Sequence, residues 1–390
     1  MPLGLYISVP FCKTKCTYCN FASDVFSRAA FQRYVDRVCS EIEHAAETAQ
    51  RMGRQFERAV DTIYLGGGTP TVLDISHLER LFVTISQNFK VADEAEITVE
   101  CAPGTLTPAV LESFKRCGVN RVSLGIQSFV DQEARAVGRL HTRAVVLDDI
   151  QRLRDAGIAN INVDLIAGLP HQTAESWEFS LQEAIACSAP HISVYMLEVD
   201  EDSRLGRELI AGGTKYHAHF VPNDDLTADL YVTACERLEA VGIEQYEISN
   251  FSREGFESRH NLKYWTRRPY FGFGVDAHSM LQSTGENGVR FATPDSLEAY
   301  IAAEPLKRTE VSSEAALEES FFLGLRLSQG VDLQKITEQY GDQALAPLIP
   351  VISELIENGL LERENRQIRL TLRGRLLSND VFEKFISVTA

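Results

Sequence analysis

The sequence predicts an α/β protein, a parallel sheet covered by helices and followed by a smaller, mainly helical module. Three observations predict it. Over the first two hundred of its 390 residues, short β-rich runs alternate with amphipathic helical ones. That alternation makes parallel strands joined by right-handed crossovers, in a sheet either open or curled into a barrel. Residues able to do chemistry fall where those strands end, the rim at which such folds gather their sites. From about Ser312 the pattern changes to helices and then two short strands.

The elements follow in order. Strands are expected at Leu5–Val9, Thr62–Leu65, Glu96–Glu100, Arg121–Ile126, Asn160–Ile166 and His191–Leu197, each a short apolar or β-branched run. Helices are expected at Arg28–Arg51, Ser76–Asn88, Thr107–Lys115, Arg143–Ala156 and Ala174–Ala186. Cys12 follows the first strand, and Gly66-Gly67-Gly68-Thr69-Pro70 follows the second. Glu100 closes the third, Gln127 the fourth, Asp164 lies in the fifth, and Glu198 follows the sixth. All six point to one rim. A less regular middle section holds a helix at Leu226–Val241, a strand at Tyr246–Phe251 and an aromatic, arginine-rich stretch at Arg259–Gly274. A short strand at Gly274–Leu281 and a turn-rich Ser283–Gly288 complete it. The last section reads as helices Glu314–Leu327, Leu333–Gln339 and Ala346–Asn358, strands Leu360–Arg363 and Gln367–Leu372, and a helix Gly374–Phe385. Helices followed by a hairpin resemble a winged-helix module. The domain division expected is 1–205, 206–305 and 306–390.

Composition narrows the function. An apolar fraction of 44 % and a charged fraction of 24 % are those of an ordinary globular protein. A net charge of −17 argues against nucleic acid as a partner, because phosphate binding needs a basic surface. The winged-helix-like module carries twelve acidic against eight basic side chains, so it reads as a lid or docking domain. No basic region precedes an apolar run at Met1-Pro2-Leu3-Gly4, and no apolar stretch is long enough to cross a bilayer. Eight cysteines without a paired framework suit a reducing cytoplasm.

Three of those cysteines, Cys12, Cys16 and Cys19, carry most of the functional signal. They sit in VPFCKTKCTYCNFA, spaced Cys-x3-Cys-x2-Cys on a loop after a strand. Thiolates so close repel one another unless a positive centre neutralises them. Three ligands leave one position open, as in a [4Fe–4S] cube with one iron free for an outside molecule, whereas electron-transfer clusters use four. Structural zinc closes with four ligands, and no second pair of cysteines or histidines is near. The remaining cysteines, Cys39, Cys101, Cys117, Cys187 and Cys235, read as small core residues, with Cys101 notable for following Glu100.

The loop resembles that of the radical S-adenosylmethionine (SAM) superfamily. Given SAM as the ligand, the rim residues acquire roles. The glycine run lets backbone approach the methionine part without a Cβ in the way, and Pro70 fixes the turn. Glu100 suits the amino group or ribose, Arg139 the carboxylate, and Gln127 and Asp164 the ribose hydroxyls. Tyr6 and Tyr18 flank the loop and suit packing on the cube or the adenine.

The runs YISVPFCKTKCTYCNF, YLGGGTPTVL, VECAPGTL, VSLGIQSF, VGRLH and VDLIAGLP are similar, in order and spacing, to the radical-SAM family of oxygen-independent coproporphyrinogen oxidases and their HemW relatives. The likeness extends to LTLRGRLLSNDVFEKFI near the C-terminus. It implies an incomplete (β/α)6 barrel, a cluster on Cys12, Cys16 and Cys19, and SAM contacts from Tyr6, Tyr18, Gly67, Gly68, Thr69, Glu100, Gln127, Arg139 and Asp164. The family divides into an oxidase branch and a haem-handling branch. The oxidase has a further cysteine two places after the third, where this chain has Phe21, and an N-terminal extension where only eleven residues precede Cys12. Arg259-His260-Asn261-Leu262-Lys263-Tyr264-Trp265 matches the HNxxYW signature of the HemW-type haem chaperones. Haem needs an axial ligand, an apolar face and cations for its propionates. His260 suits the first, Tyr264, Trp265 and Phe271 the second, and Arg259, Arg267 and Arg268 the third. His278 is a weaker second ligand candidate, and His217 with His219 reads as an exposed loop.

The expected function is a haem chaperone carrying a [4Fe–4S] cluster and SAM, fed by an electron donor, passing haem to acceptors such as respiratory haem proteins. The competing activity is coproporphyrinogen dehydrogenase, in which a 5′-deoxyadenosyl radical takes hydrogen from a propionate. No extra motif supports a third class, a radical-SAM transferase.

Overall fold

The computed structural model describes residues 1–282 and 287–386. Its parallel strands are β1 (Leu3–Val9), β2 (Ala59–Gly67), β3 (Lys90–Cys101), β4 (Arg121–Gln127), β5 (Asn160–Ala167) and β6 (His191–Met196). They lie side by side in chain order, each parallel to the next. The first and last do not pair with each other, so the expected (β/α)6 barrel is present in its incomplete form. Side chains alternate between the two faces of each strand. On β1, Leu3, Leu5, Ile7 and Val9 are buried against the helices, while Gly4, Tyr6 and Ser8 face the other way. The sheet is therefore apolar outside and polar within.

Further strands extend both edges. β7 (Glu244–Glu247) and β8 (Asn250–Ser252) add an antiparallel hairpin beyond β6. β9 (Tyr270–Gly274) pairs parallel with β1, and β10 (His278–Gln282), β11 (Gly288–Ala292) and β12 (Lys307–Val311) continue antiparallel beyond it. Several expected boundaries shift for local reasons. The helix expected over Arg28–Arg51 breaks at His44 into Arg28–Glu43 and Ala45–Arg51. The strand expected at Tyr246–Phe251 is two strands about a turn. The one expected at Gly274–Leu281 starts only at His278, because Gly274 (φ 99°) and Asp276 (φ 54°) turn the chain. Within the expected turn at Ser283–Gly288, residues 283–286 lie outside the described residues.

The C-terminal module has its own three-stranded sheet, β13 (Val331–Asp332), β14 (Leu361–Glu364) and β15 (Gln367–Leu370), in the order β13-β15-β14. Helices Ser313–Phe322, Leu333–Tyr340, Ile349–Glu357 and Ser378–Ile386 pack around it, with the Phe321 and Phe385 rings stacked at 4.8 Å. This is the mainly helical, winged-helix-like arrangement expected. No helix of the described residues is long and apolar enough to cross a membrane.

Candidate functional site

The cysteine loop is held by backbone at both ends. Cys12 N donates to Asp24 O (3.0 Å), Thr17 N to Val137 O (3.2 Å), and Leu205 N to Thr17 O (2.8 Å). The glycine run lies against its entrance: Gly68 N donates to Val9 O (2.8 Å) and Thr69 N to Phe11 O (2.7 Å). A Cβ on Gly68 would stand 2.7 Å from both Phe11 O and Val9 O, and one on Gly66 would meet the Glu100 carboxyl at 2.8 Å. The glycines thus let backbone approach backbone beneath the loop, a reason distinct from the cofactor approach read from the sequence.

The loop roofs a cavity of about 390 Å³ inside the incomplete barrel. Cys12, Cys16 and Cys19 line its mouth, with Tyr18, Gly67, Gly68 and Thr69. Glu100, Gln127, Arg139 and Asp164 line its wall, as does Glu198. Each of the six strand ends singled out by position therefore contributes to one space. Tyr6 does not: its ring lies beside those of Tyr64 (6.1 Å) and His260 (6.3 Å), behind the cavity wall. Phe21, where the oxidases carry a further cysteine, is 65 % exposed at the mouth.

The electrostatics are those of a site awaiting charge. Burial pushes the Cys12 and Cys19 thiols up, so thiolates there need a nearby cation. Burial also raises Glu100 to about 7, opposed by the Tyr64 hydroxyl donating at 2.8 Å and reinforced by the Asp164 charge. Asp164 is raised by burial against hydrogen bonds from Ser123 (2.9 Å) and Asn162 (2.7 Å). Arg139 meets Tyr18 Oη at 3.4 Å, and its buried Nε has no partner. Gln127 holds φ 72° with its side chain buried, a conformation uncommon for non-glycine residues.

These residues fit the groups the sequence suggests. Among the described residues no three His, Cys, Asp or Glu side chains converge closely enough to hold a single metal ion. Three thiols lining one mouth suit a cluster with one open position, whereas structural zinc closes with four ligands. Below them, two carboxyls, a primary amide and a guanidinium with an orphaned donor match a zwitterionic nucleoside.

Sequence reading missed the cavity floor. Arg121, Asn162, Ser193 and Asn250 line it, on strands whose polar residues recur at every second position. Arg121 is 2 % exposed, and its Nε has no partner. Asn162 donates to Ser123 (2.8 Å) and Asp164, and Ser193 to Asn250 (2.7 Å). That period-2 polarity was the available signal.

The helix Arg259–Trp265 closes the lower end. Its first amides, Arg259 N and His260 N, donate to the Glu96 carboxylate at 3.0 Å each, and Asn261 reaches the cavity. His260 is 1 % exposed. Its Nδ1 meets Thr62 Oγ1 (2.9 Å) and its Nε2 meets Tyr264 Oη (2.8 Å). Burial, with Lys263 and Arg121 adding to it, lowers its pKa to about 3. The ring is a neutral, enclosed one, with no nitrogen left for an iron in this arrangement. Lys263 pairs with Asp61 (2.7 Å), Arg267 with Glu319 (2.8 Å), and Trp265 lies under Arg326 (4.3 Å). Arg259 donates to Glu94 O, Phe271 is buried, and Arg268 is exposed. His278 is exposed beside Asp276, and His217 and His219 lie in an outer loop.

Comparison with known proteins agrees with this geometry. Residues 6–184 match the radical SAM superfamily model, and residues 311–377 match the HemN C-terminal domain model. The chain is 37 % identical to the haem chaperone HemW of Bacillus subtilis, over 98 % of each chain. It is 33 % identical to that of Lactococcus lactis (99 % of this chain, 97 % of the relative). With HemW of Escherichia coli it shares 28 % identity (99 % and 98 %). Among solved structures, the radical SAM enzyme coproporphyrinogen III oxidase (HemN) of Escherichia coli superposes with a TM-score of 0.84 at 24 % identity. That match covers 99 % of this chain and 90 % of the other, a likeness of fold.

Proposed function

Because this chain belongs to the HemW haem-chaperone family within the radical SAM superfamily, we propose that it binds haem, a [4Fe–4S] cluster and SAM, and passes haem to acceptor proteins. The observation that carries the proposal is the meeting of three thiols with a zwitterion-shaped wall at one cavity mouth, with Phe21 in place of the oxidases' further cysteine. Cys12, Cys16 and Cys19 would hold the cluster. Arg139 would take the SAM carboxylate, Glu100 its ammonium, Gln127 and Asp164 its ribose, and Tyr18 would cover it. Gly67, Gly68 and Thr69 shape the wall beneath. When bound, the cluster and SAM supply one-electron reductive chemistry, for which an electron donor is required. Cytoplasmic residence and haem acceptors of the respiratory kind are further parts of this reading.

One experiment tests it. Anaerobically reconstituted protein is assayed together for iron, bound haem, 5′-deoxyadenosine and decarboxylated porphyrin. Expected are four irons lost on replacing all three loop cysteines by alanine, stoichiometric haem, and no protoporphyrinogen from coproporphyrinogen. Conversion of coproporphyrinogen would overturn the chaperone in favour of the oxidase.

A further inference from the structure

A cluster held by the cysteine loop would face the SAM cavity on its inner side, so an electron donor has to approach from outside the loop. That outer side borders a hollow of about 440 Å³ lined by Lys13, Lys15, Arg135, Arg204 and Lys215. No acidic side chain lines it, in a protein of net charge −17. Lys13, Arg135, Arg204 and Lys215 are exposed. None of the five cations has an ion-pair partner among the described residues. Lys15 and Arg204 donate only to backbone carbonyls, and Lys215 lies over the Tyr216 ring at 5.1 Å. Five like charges gathered without counter-charges repel one another, and an acidic partner relieves that repulsion. Val25 and Leu140, 56 % and 73 % exposed, add an apolar edge to the hollow. Apolar contact beside a charged rim is the anatomy of a protein interface.

The hollow is also close to the thiols. Thr14 and Lys15 line both it and the cysteine cavity, so one thickness of chain separates the two spaces. Thr14 Oγ1 donates to Gly138 O (3.1 Å) and Thr17 N to Val137 O (3.2 Å), which ties the loop to the segment carrying Arg135. A Cβ on Gly138 would stand 3.6 Å from Lys15 O and 3.8 Å from Cys16 Cα, so that segment touches the loop itself. Electron tunnelling falls off steeply with distance. A donor seated in the hollow would have only the loop between its own redox group and the cluster.

Resting on the cluster and SAM reading, we infer that this basic hollow is the docking surface for an acidic one-electron carrier protein bearing a low-potential flavin or iron–sulfur centre. Acidic side chains of the carrier meet Lys13, Arg135, Arg204 and Lys215, while Val25 and Leu140 supply the apolar contact. One electron leaves the carrier, which is oxidised by one unit, and enters the [4Fe–4S] cluster, which is reduced by one unit. No bond forms or breaks in the transfer. The complex is a transient one, in which charge speeds the encounter more than it prolongs the contact.

The first test is binding, read as the fluorescence anisotropy of a labelled plant-type ferredoxin titrated with the full chain. Affinity should fall as salt is raised, because salt screens exposed charges. Arg135→Glu with Lys215→Glu is expected to weaken it by about tenfold or more at low salt, the lower end of what charge steering contributes. Arg135→Lys with Lys215→Arg should leave it unchanged. The second test mixes anaerobically reconstituted chain with reduced ferredoxin and follows bleaching of the cluster's visible absorption. The charge-reversed protein should be reduced more slowly by the same factor, whereas photoreduced deazaflavin, a small reductant, should reduce it as fast as wild type. Equal ferredoxin affinity in the charge-reversed and wild-type proteins overturns the proposal, and so does a wild-type affinity indifferent to salt. Equal slowing by deazaflavin overturns it too, since the substitutions would then act on the cluster and not on docking. Absence of iron from reconstituted wild type would instead defeat the cluster reading, a failure that the binding titration reports separately.

Discussion

Glu100 shows what a single buried group does to this site. Its carboxyl sits against the Tyr64 hydroxyl and near Asp164, and burial raises it to about 7 from an ordinary value near 4.5. A carboxyl raised in the native state binds its proton more tightly there than in the unfolded chain. Between about pH 4.5 and 7 the native state therefore holds the extra proton, and stability falls as pH rises through that window. The full effect is on the order of 3 kcal/mol, by the linkage of one unit to about 1.4 kcal/mol. Glu100→Gln should flatten that part of the stability profile of cofactor-free protein, measured by urea unfolding at several pH values. An unchanged slope would mean that Glu100 titrates normally. The same carboxyl, ionised above pH 7, is the one suited to an ammonium, so SAM affinity and apo stability should move in opposite directions with pH.

At the scale of elements, the turn after the helix Arg259–Trp265 and the strand β11 act as a latch between barrel and C-terminal module. Glu319, on the module's first helix, receives Arg267 Nε at 2.8 Å and Arg290 Nη1 at 2.5 Å, and both Arg267 and Glu319 are buried. Removing one partner of a buried pair leaves the other charged and unsolvated, which costs about 3–5 kcal/mol. Glu319→Ala should lower thermal stability by that scale and open the junction to proteolysis; a loss below about 1 kcal/mol would show that water replaces the carboxylate. The latch also marks where sequence reading stopped. The six parallel strands were legible because each is a short apolar run bounded by turns, and the rim residues because they sit at strand ends. β12, with sequence KRTEV and four exposed residues at a sheet edge, reads as a polar loop. His260 and Arg267 are buried and Trp265 is half-buried, a packing that residue type alone does not announce. Polarity alone does not distinguish a cavity from a buried hydrogen-bond network. Arg121 was illegible for the converse reason, since an arginine at a strand start reads as solvent-facing until the barrel curves around it.

At the scale of the molecule, two hydrophobic cores are joined by contacts that neither unit satisfies alone. Ile248, in the β7–β8 turn, belongs to the C-terminal core, and its amide donates to Arg326 O at 3.1 Å. Ser328 N donates to Tyr246 O at 3.0 Å, and Glu247, fully buried, has Arg326 at 3.7 Å. Unfolding the module alone would uncover Ile248 and take Arg326 from the Glu247 carboxylate and Glu319 from the Arg267 guanidinium. Losing that apolar cover and both pairs at once disfavours unfolding the module while the barrel stays folded. The two tryptophans make this measurable. Trp177 lies within the barrel helices, its Nε1 donating to Leu230 O at 2.7 Å, and Trp265 lies at the junction. In Trp265→Phe the remaining fluorescence reports the barrel, whereas far-ultraviolet circular dichroism reports the whole chain. Coincident urea midpoints from the two probes are expected, as for one cooperative unit. A chain ending at Val311 should correspondingly melt well below the full chain rather than retain its barrel's stability. Separated midpoints, or a stable truncated barrel, would show that the junction fastens two independent domains, and that the lower closure of the cavity does not depend on the module that braces it.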